Sequence, residues 1–214
     1  MGMVSINKKI TGWKLEKSKT DNKNLDDNRP SKINYSLAPK RPTVLPCEIK
    51  KAKINGEAWI IIIGMLDGKP YEIFGGLSKY IDIPNKHKTG QIIKNGKVDG
   101  ISTYNLSVGE DDDVLIIKDI ASVFENLTHS SFTRTISLAL RHGAPVQYIV
   151  EQLQKDKHSD ITSFSKVIAR VLKQYIVDGT KPTSDKVCPS CNESDGLRYQ
   201  AGCIECSCGW SKCS

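Results

Sequence analysis

This 214-residue chain lacks a long apolar run. Its longest, Ala58–Met65, falls far short of the roughly 20 residues that cross a bilayer. Residues 1–40 hold no continuous apolar core of the kind found in a cleaved leader. These absences exclude a helical membrane protein and make a soluble, cytoplasmic one, with no membrane partner, the expectation. Histidine is scarce: His87, His129, His142 and His158 show no ligand spacing, which argues against a histidine-based metal site. His142 falls in the last turn of an expected helix, where it complements the dipole. Gly75-Gly76 lacks the pattern of a phosphate-cradling loop, and no internal repeat is present. Cysteine is almost missing before position 188, where Cys47 stands alone and reads as a buried structural thiol.

What the chain does have is a formal net charge of +7, unevenly placed. Residues 1–42 carry ten Lys/Arg against four Asp/Glu, a surplus of six, so the remainder is close to neutral. That segment is rich in Lys, Asn, Asp and Ser with scattered apolar residues, and reads as disordered. A basic excess confined to such a tail is weak ground for a nucleic-acid partner.

From Val44 the pattern turns to strands. Val44–Ile54 and Glu57–Met65 meet at Asn55-Gly56, a strong hairpin signal, and a turn at Asp67–Pro70 leads into Tyr71–Phe74. Gln91–Ile93 and Tyr104–Val108 are candidate further strands, beside the turn-prone Asn95-Gly96 and Asp99-Gly100. Asp111-Asp112-Asp113 reads as a solvated turn before a helix rather than a metal site. Four helices are then expected: Val114–Asn126, Phe132–His142, about 145–155, and Thr162–Asp178. Gly143 and Gly179 end the second and fourth, and the fourth repeats apolar residues at helical spacing. The expected architecture is α+β over 43–179, a small antiparallel meander packed with about four helices. A polar linker, 180–187, precedes a cysteine-rich zinc ribbon at 188–214.

Six of the seven cysteines lie in that last stretch: Cys188, Cys191, Cys203, Cys206, Cys208 and Cys213. Cys188-Pro-Ser-Cys191 and Cys203-Ile-Glu-Cys206 have the form of two knuckles gripping one tetrahedral zinc. That assignment leaves Cys208 and Cys213 free to close a disulfide, with Lys212 favouring the Cys213 thiolate. The alternative makes Cys208 a ligand, since Gly209 follows it, and Cys213 an idle thiol. Trp210 either docks the tail on a partner or covers the metal site.

The tail, with Cys188-Pro-Ser-Cys191, Gly202-Cys203-Ile-Glu-Cys206 and Cys208-Gly-Trp-Ser-Lys-Cys213, resembles the C-terminus of adenosylcobalamin-dependent (class II) ribonucleotide reductases. Arg41–Pro46, Gly68–Phe74 and Phe132–Gly143 are similar to the TSCPD domain that precedes that zinc module. In this family two residues usually separate the cysteines matching Cys206 and Cys208, where this chain has only Ser207. The resemblance implies a separately encoded or split C-terminal piece of an oxidoreductase, without the catalytic barrel and not catalytic alone. It implies structural zinc on Cys188, Cys191, Cys203 and Cys206. Cys208 and Cys213 would be the redox shuttle, swinging on 180–187 to carry electrons from thioredoxin or a similar reductant to the barrel subunit. Adenosylcobalamin would belong to that partner. A zinc-ribbon module binding nucleic acid through its basic tail, or a scaffold with vestigial cysteines, is the competing reading.

Overall fold

Strand β2 (Glu57–Leu66) contains Trp59-Ile60-Ile61-Ile62-Ile63, five consecutive buried residues. Side chains alternate across a strand, so an unbroken apolar run needs cover on both faces of the sheet. The computed structural model, describing residues 37–54, 56–124, 126–155, 164–183 and 186–213, supplies that cover. Trp59, Ile61 and Ile63 join a core with the helices, while Ile60 and Ile62 join a second core on the opposite face.

β2 lies in a six-stranded antiparallel sheet with β1 (Val44–Ile54), β3 (Lys69–Leu77), β4 (Thr89–Val98), β5 (Ile101–Val108) and β6 (Leu115–Ile117), in the order β3-β2-β1-β4-β5-β6. The expected three-strand meander is present, and Gln91–Ile93 and Tyr104–Val108 lie in β4 and β5. Asp67-Gly68 and Asp99-Gly100 close two hairpins, each with both residues at positive φ, as a type I′ turn requires. Asn95-Gly96 makes no turn; it forms an irregularity inside β4, between Lys94 and Lys97. The three aspartates 111–113 form a short turn that leads into a strand.

The helix expected over Val114–Asn126 is absent. Val114, Ile116 and Ile117 are β-branched, and β6 pairs with the open edge of β5, Leu106 opposite Ile117. Asp119, at φ 43°, then breaks the chain direction, and the segment turns so that Ile120 and Phe124 plug the second core. Asn126, which falls at that helix's expected end, instead starts the next one: its side chain accepts the His129 N–H at 3.0 Å. Helix α1 (Leu127–Arg141) therefore begins five residues before Phe132. Among the described residues three α-helices follow the sheet, the others being α2 (Val146–Leu153) and α3 (Phe164–Leu172). The start expected at Thr162, like the basic segment before Leu37, lies outside the described residues. None of the described helices is long and apolar enough to cross a membrane.

α1 runs along the edge strand β3, and its Ser137 hydroxyl accepts the Ile73 N–H at 2.9 Å. That bond, in the buried interface, occupies one of the backbone groups that an edge strand otherwise leaves open. The C-terminal region forms a second antiparallel sheet, β7 (Leu197–Gln200), β8 (Cys203–Cys206) and β9 (Ser211–Lys212). Leu197, Tyr199, Ile204 and Cys206 share one core with α2, α3 and β2. The fold is thus α+β with a ribbon-like cysteine end.

Candidate metal and disulfide centre

The two C-x-x-C motifs adopt unlike conformations. Cys188-Pro-Ser-Cys191 is a knuckle: Asn192 N–H returns to the Cys188 carbonyl at 2.8 Å, and the Ser190 N–H points at the Cys188 sulfur at 3.4 Å. Cys203-Ile-Glu-Cys206 is strand β8. Three steps of extended chain span roughly 10 Å and put the two ends on opposite faces, so this pair cannot chelate one ion. The second knuckle is the shorter Cys206-Ser207-Cys208. Gly209, at φ 93°, closes it, its N–H bonding the Cys206 carbonyl at 2.9 Å. Cys206 N–H in turn donates to the Trp210 carbonyl at 2.7 Å, and Trp210 packs half-buried against the core shared with the helices.

Cys188, Cys191, Cys206 and Cys208 thereby bring four sulfurs within 4.8 Å of one another. Cys188 and Cys208 stand 3.6 Å apart, as do Cys191 and Cys206. Tetrahedral zinc thiolate, with bonds near 2.3 Å, needs sulfurs roughly 3.8 Å apart, so the cluster could bind a metal such as zinc. Space around it is tight: a Cβ on Gly196 would lie 2.9 Å from the Cys206 sulfur. The thiols also differ in acidity. Burial opposes ionisation of Cys188, but the N–H groups of Cys191 and Ser190 and the facing thiols outweigh it and bring the pKa to about 7. At Cys191 the Glu193 N–H favours the thiolate, while burial and the neighbouring sulfurs push the pKa to about 12.

Cys203, expected as a ligand, stands apart from this cluster and is joined to Cys213 in a disulfide. The ladder explains the pairing. Ile204 faces Lys212 and Glu205 faces Ser211, so Cys203 and Cys213 are the next opposed pair, with Cα atoms 4.4 Å apart. Both point away from the core, Cys213 exposed and Cys203 half-buried. Cys208, expected in the shuttle pair, sits in the four-sulfur cluster that could hold a metal. Cys47, at the far side of the sheet, is buried, and burial pushes its thiol up to about 12, leaving it inert.

The stretch expected as a linker is tied down at its start. Gly179 N–H donates to the Tyr199 carbonyl and Tyr199 N–H to the Thr180 carbonyl, each at 2.8 Å. Buried Glu151 gathers the Gln147 amide, the Thr183 N–H and the Tyr199 hydroxyl on one oxygen, at 3.1, 3.1 and 3.4 Å. Sequence reasoning missed this carboxylate, whose partners lie on three separate segments.

It also missed a buried ion-pair triad. Glu72, fully enclosed, receives Arg41 Nη2 at 2.6 Å and Arg141 Nη2 at 2.7 Å. One member comes from each of the three segments Arg41–Pro46, Gly68–Phe74 and Phe132–Gly143, so a charged residue in each was the available signal.

Comparison with known proteins bears on the sheet and helices. The family described as NrdJ homologue C-terminal domain matches residues 45–177, more than half of the chain. The chain belongs to that family. It is a ribonucleotide reductase NrdJ-related C-terminal region, and the match ends before the cysteine-rich ribbon. No curated protein and no solved structure matches it.

Proposed function

We propose that this NrdJ-related chain is the C-terminal component of a ribonucleotide reductase, and that Cys203 and Cys213 are its electron relay. The observation that carries the reading is a solvent-facing disulfide set beside, but outside, a four-sulfur cluster that could hold a metal. In the relay a thioredoxin-type dithiol attacks the exposed Cys213 sulfur as a thiolate. A mixed disulfide forms, Cys203 leaves as a thiolate and takes up a proton, and the reductant's second thiol closes its own disulfide. Cys213 is released as a thiol, so two electrons and two protons have entered the chain.

The second exchange runs the other way. The Cys213 thiolate attacks the disulfide left in the catalytic barrel after each ribonucleotide is reduced. Cys203 resolves the mixed disulfide, reforming Cys203–Cys213 and returning the barrel to its dithiol state. With 179–183 hydrogen-bonded to α2 and β7, the partner approaches a fixed, exposed disulfide, and no arm needs to swing. The barrel and its radical source, adenosylcobalamin in the class II reading, lie outside this chain.

Zinc on Cys188, Cys191, Cys206 and Cys208 would be structural, because thiolates fill all four positions. It would hold the 206–210 turn, and hence the register that sets Cys203 against Cys213. The test is turnover of the assembled reductase with a thioredoxin-type reductant. Cys203→Ser and Cys213→Ser should each abolish multiple turnovers while leaving one equivalent of bound zinc. Unchanged turnover in both variants would contradict the relay.

A further inference from the structure

Helix α1 turns an unusual face toward the protein. Ser130, Arg134 and Arg141 recur at helical spacing beside Ser137, and this polar stripe lines a cavity of about 200 Å³ with Arg134 at its exposed rim. Across the cavity stand the aromatic rings of Phe74, Tyr104 and Phe124, the first two packed with centroids 5.4 Å apart. The charges do not balance. Glu72 is a single carboxylate facing two guanidinium groups, Arg41 and Arg141, and Arg134 makes no ion pair among the described residues. Arg141 has its Nη2 on Glu72, but its Nε–H is buried and finds no acceptor. A buried donor left without a partner is rare, and this one belongs to a residue of the cavity lining.

We infer that this cavity binds a small oxyanion, a phosphate ester or carboxylate, attached to a planar or apolar group. Surplus guanidinium charge and the Ser130 hydroxyl provide for the anion, the Thr133 and Ser137 hydroxyls being engaged with backbone carbonyls. The aromatic wall provides for the ring. The volume limits the enclosed part to about one phosphate or carboxylate and a small ring, below the usual size of a drug-like pocket. This site shares no residue with the cysteine centre, and the inference stands apart from the relay.

The experiment is a titration of the full chain followed through the arginine Nε–H resonances, with inorganic phosphate, phenyl phosphate and benzoate as probes. Saturable shifts of the Arg134 and Arg141 signals by phenyl phosphate or benzoate, stronger than by inorganic phosphate, are expected. Tighter binding of phenyl phosphate assigns a phosphate ester, and tighter binding of benzoate a carboxylate. Arg134→Gln, on the exposed rim and safe for folding, should weaken binding about tenfold by losing a charge-assisted bond. Arg141→Lys keeps a cation near Glu72 but loses the fork, and should weaken it similarly. Absence of saturable shifts up to tens of millimolar, or equal affinity in Arg134→Gln and the parent, overturns the inference.

Discussion

The sheet-and-helix region and the cysteine ribbon are held together by different chemistry. In the first, β2 is buried on both faces, and two apolar cores carry the fold. In the second, residues 188–213 contribute Leu197, Tyr199 and Ile204 to a core that belongs mostly to the helices, and sulfur does the rest. One region rests on area removed from water, the other on a cross-strand bond and a sulfur cluster that could hold a metal. A metal bound there, and the redox state of the disulfide, would act on the ribbon's geometry and not on the sheet's.

The sharpest way to break this comparison is to remove the metal. Chelation, or Cys188→Ser, should unfold the ribbon and leave the sheet intact, since structural zinc supplies on the order of 10 kcal/mol of folding free energy in small modules. Hydrogen exchange would show lost protection in 197–212 with β1, β2 and β4 unchanged; loss throughout would make the two regions one cooperative unit. The reciprocal change is Ile62→Ala, in the core that the ribbon does not touch. It should cost about 2–5 kcal/mol in denaturant unfolding and leave zinc affinity within twofold of the parent.

A smaller effect links the two sulfur systems. Cys206 and Cys208 lie inside the ring closed by Cys203–Cys213, so the disulfide constrains two of the four clustered sulfurs. Reduction, or Cys213→Ser, should lower zinc affinity by about tenfold, read by competition with a chromophoric chelator, as a preformed site loses its constraint. The smallest effect concerns Glu48. The hydrogen bond from Lys50 holds its carboxyl below the ordinary value of 4.5, against some burial, and the Tyr175 hydroxyl adds a bond at 2.8 Å. A depressed carboxylate stabilises the fold above pH 4.5 and loses that contribution as pH falls through its lowered value. Tyr175→Phe should therefore show a shallower loss of stability on acidification below that pH.

Much of the sheet was legible because β-rich runs and Asp-Gly turns act locally. The pattern failed at Val114–Asn126, where apolar spacing fits a helix but β5 offered an unpaired edge, a cue that exists only after the sheet has formed. The cysteines failed for a related reason. C-x-x-C describes a knuckle only if the backbone turns, and Cys203 follows the Ala201-Gly202 hairpin turn, φ 47° and 78°, as the first residue of a strand. Alternation of Leu197 and Tyr199 before that Gly was the available sign. Glu151 has one local partner, Gln147, while its other partners and those linking the Arg41–Glu72–Arg141 triad are distant in the chain.

Differential alkylation with mass spectrometry, on the zinc-loaded chain before and after mild reduction, tests the division of the six sulfurs most directly. The account predicts that reduction exposes Cys203 and Cys213 together, while Cys188, Cys191, Cys206 and Cys208 stay protected with one zinc bound. Labelling of Cys208 in place of Cys203 would contradict it.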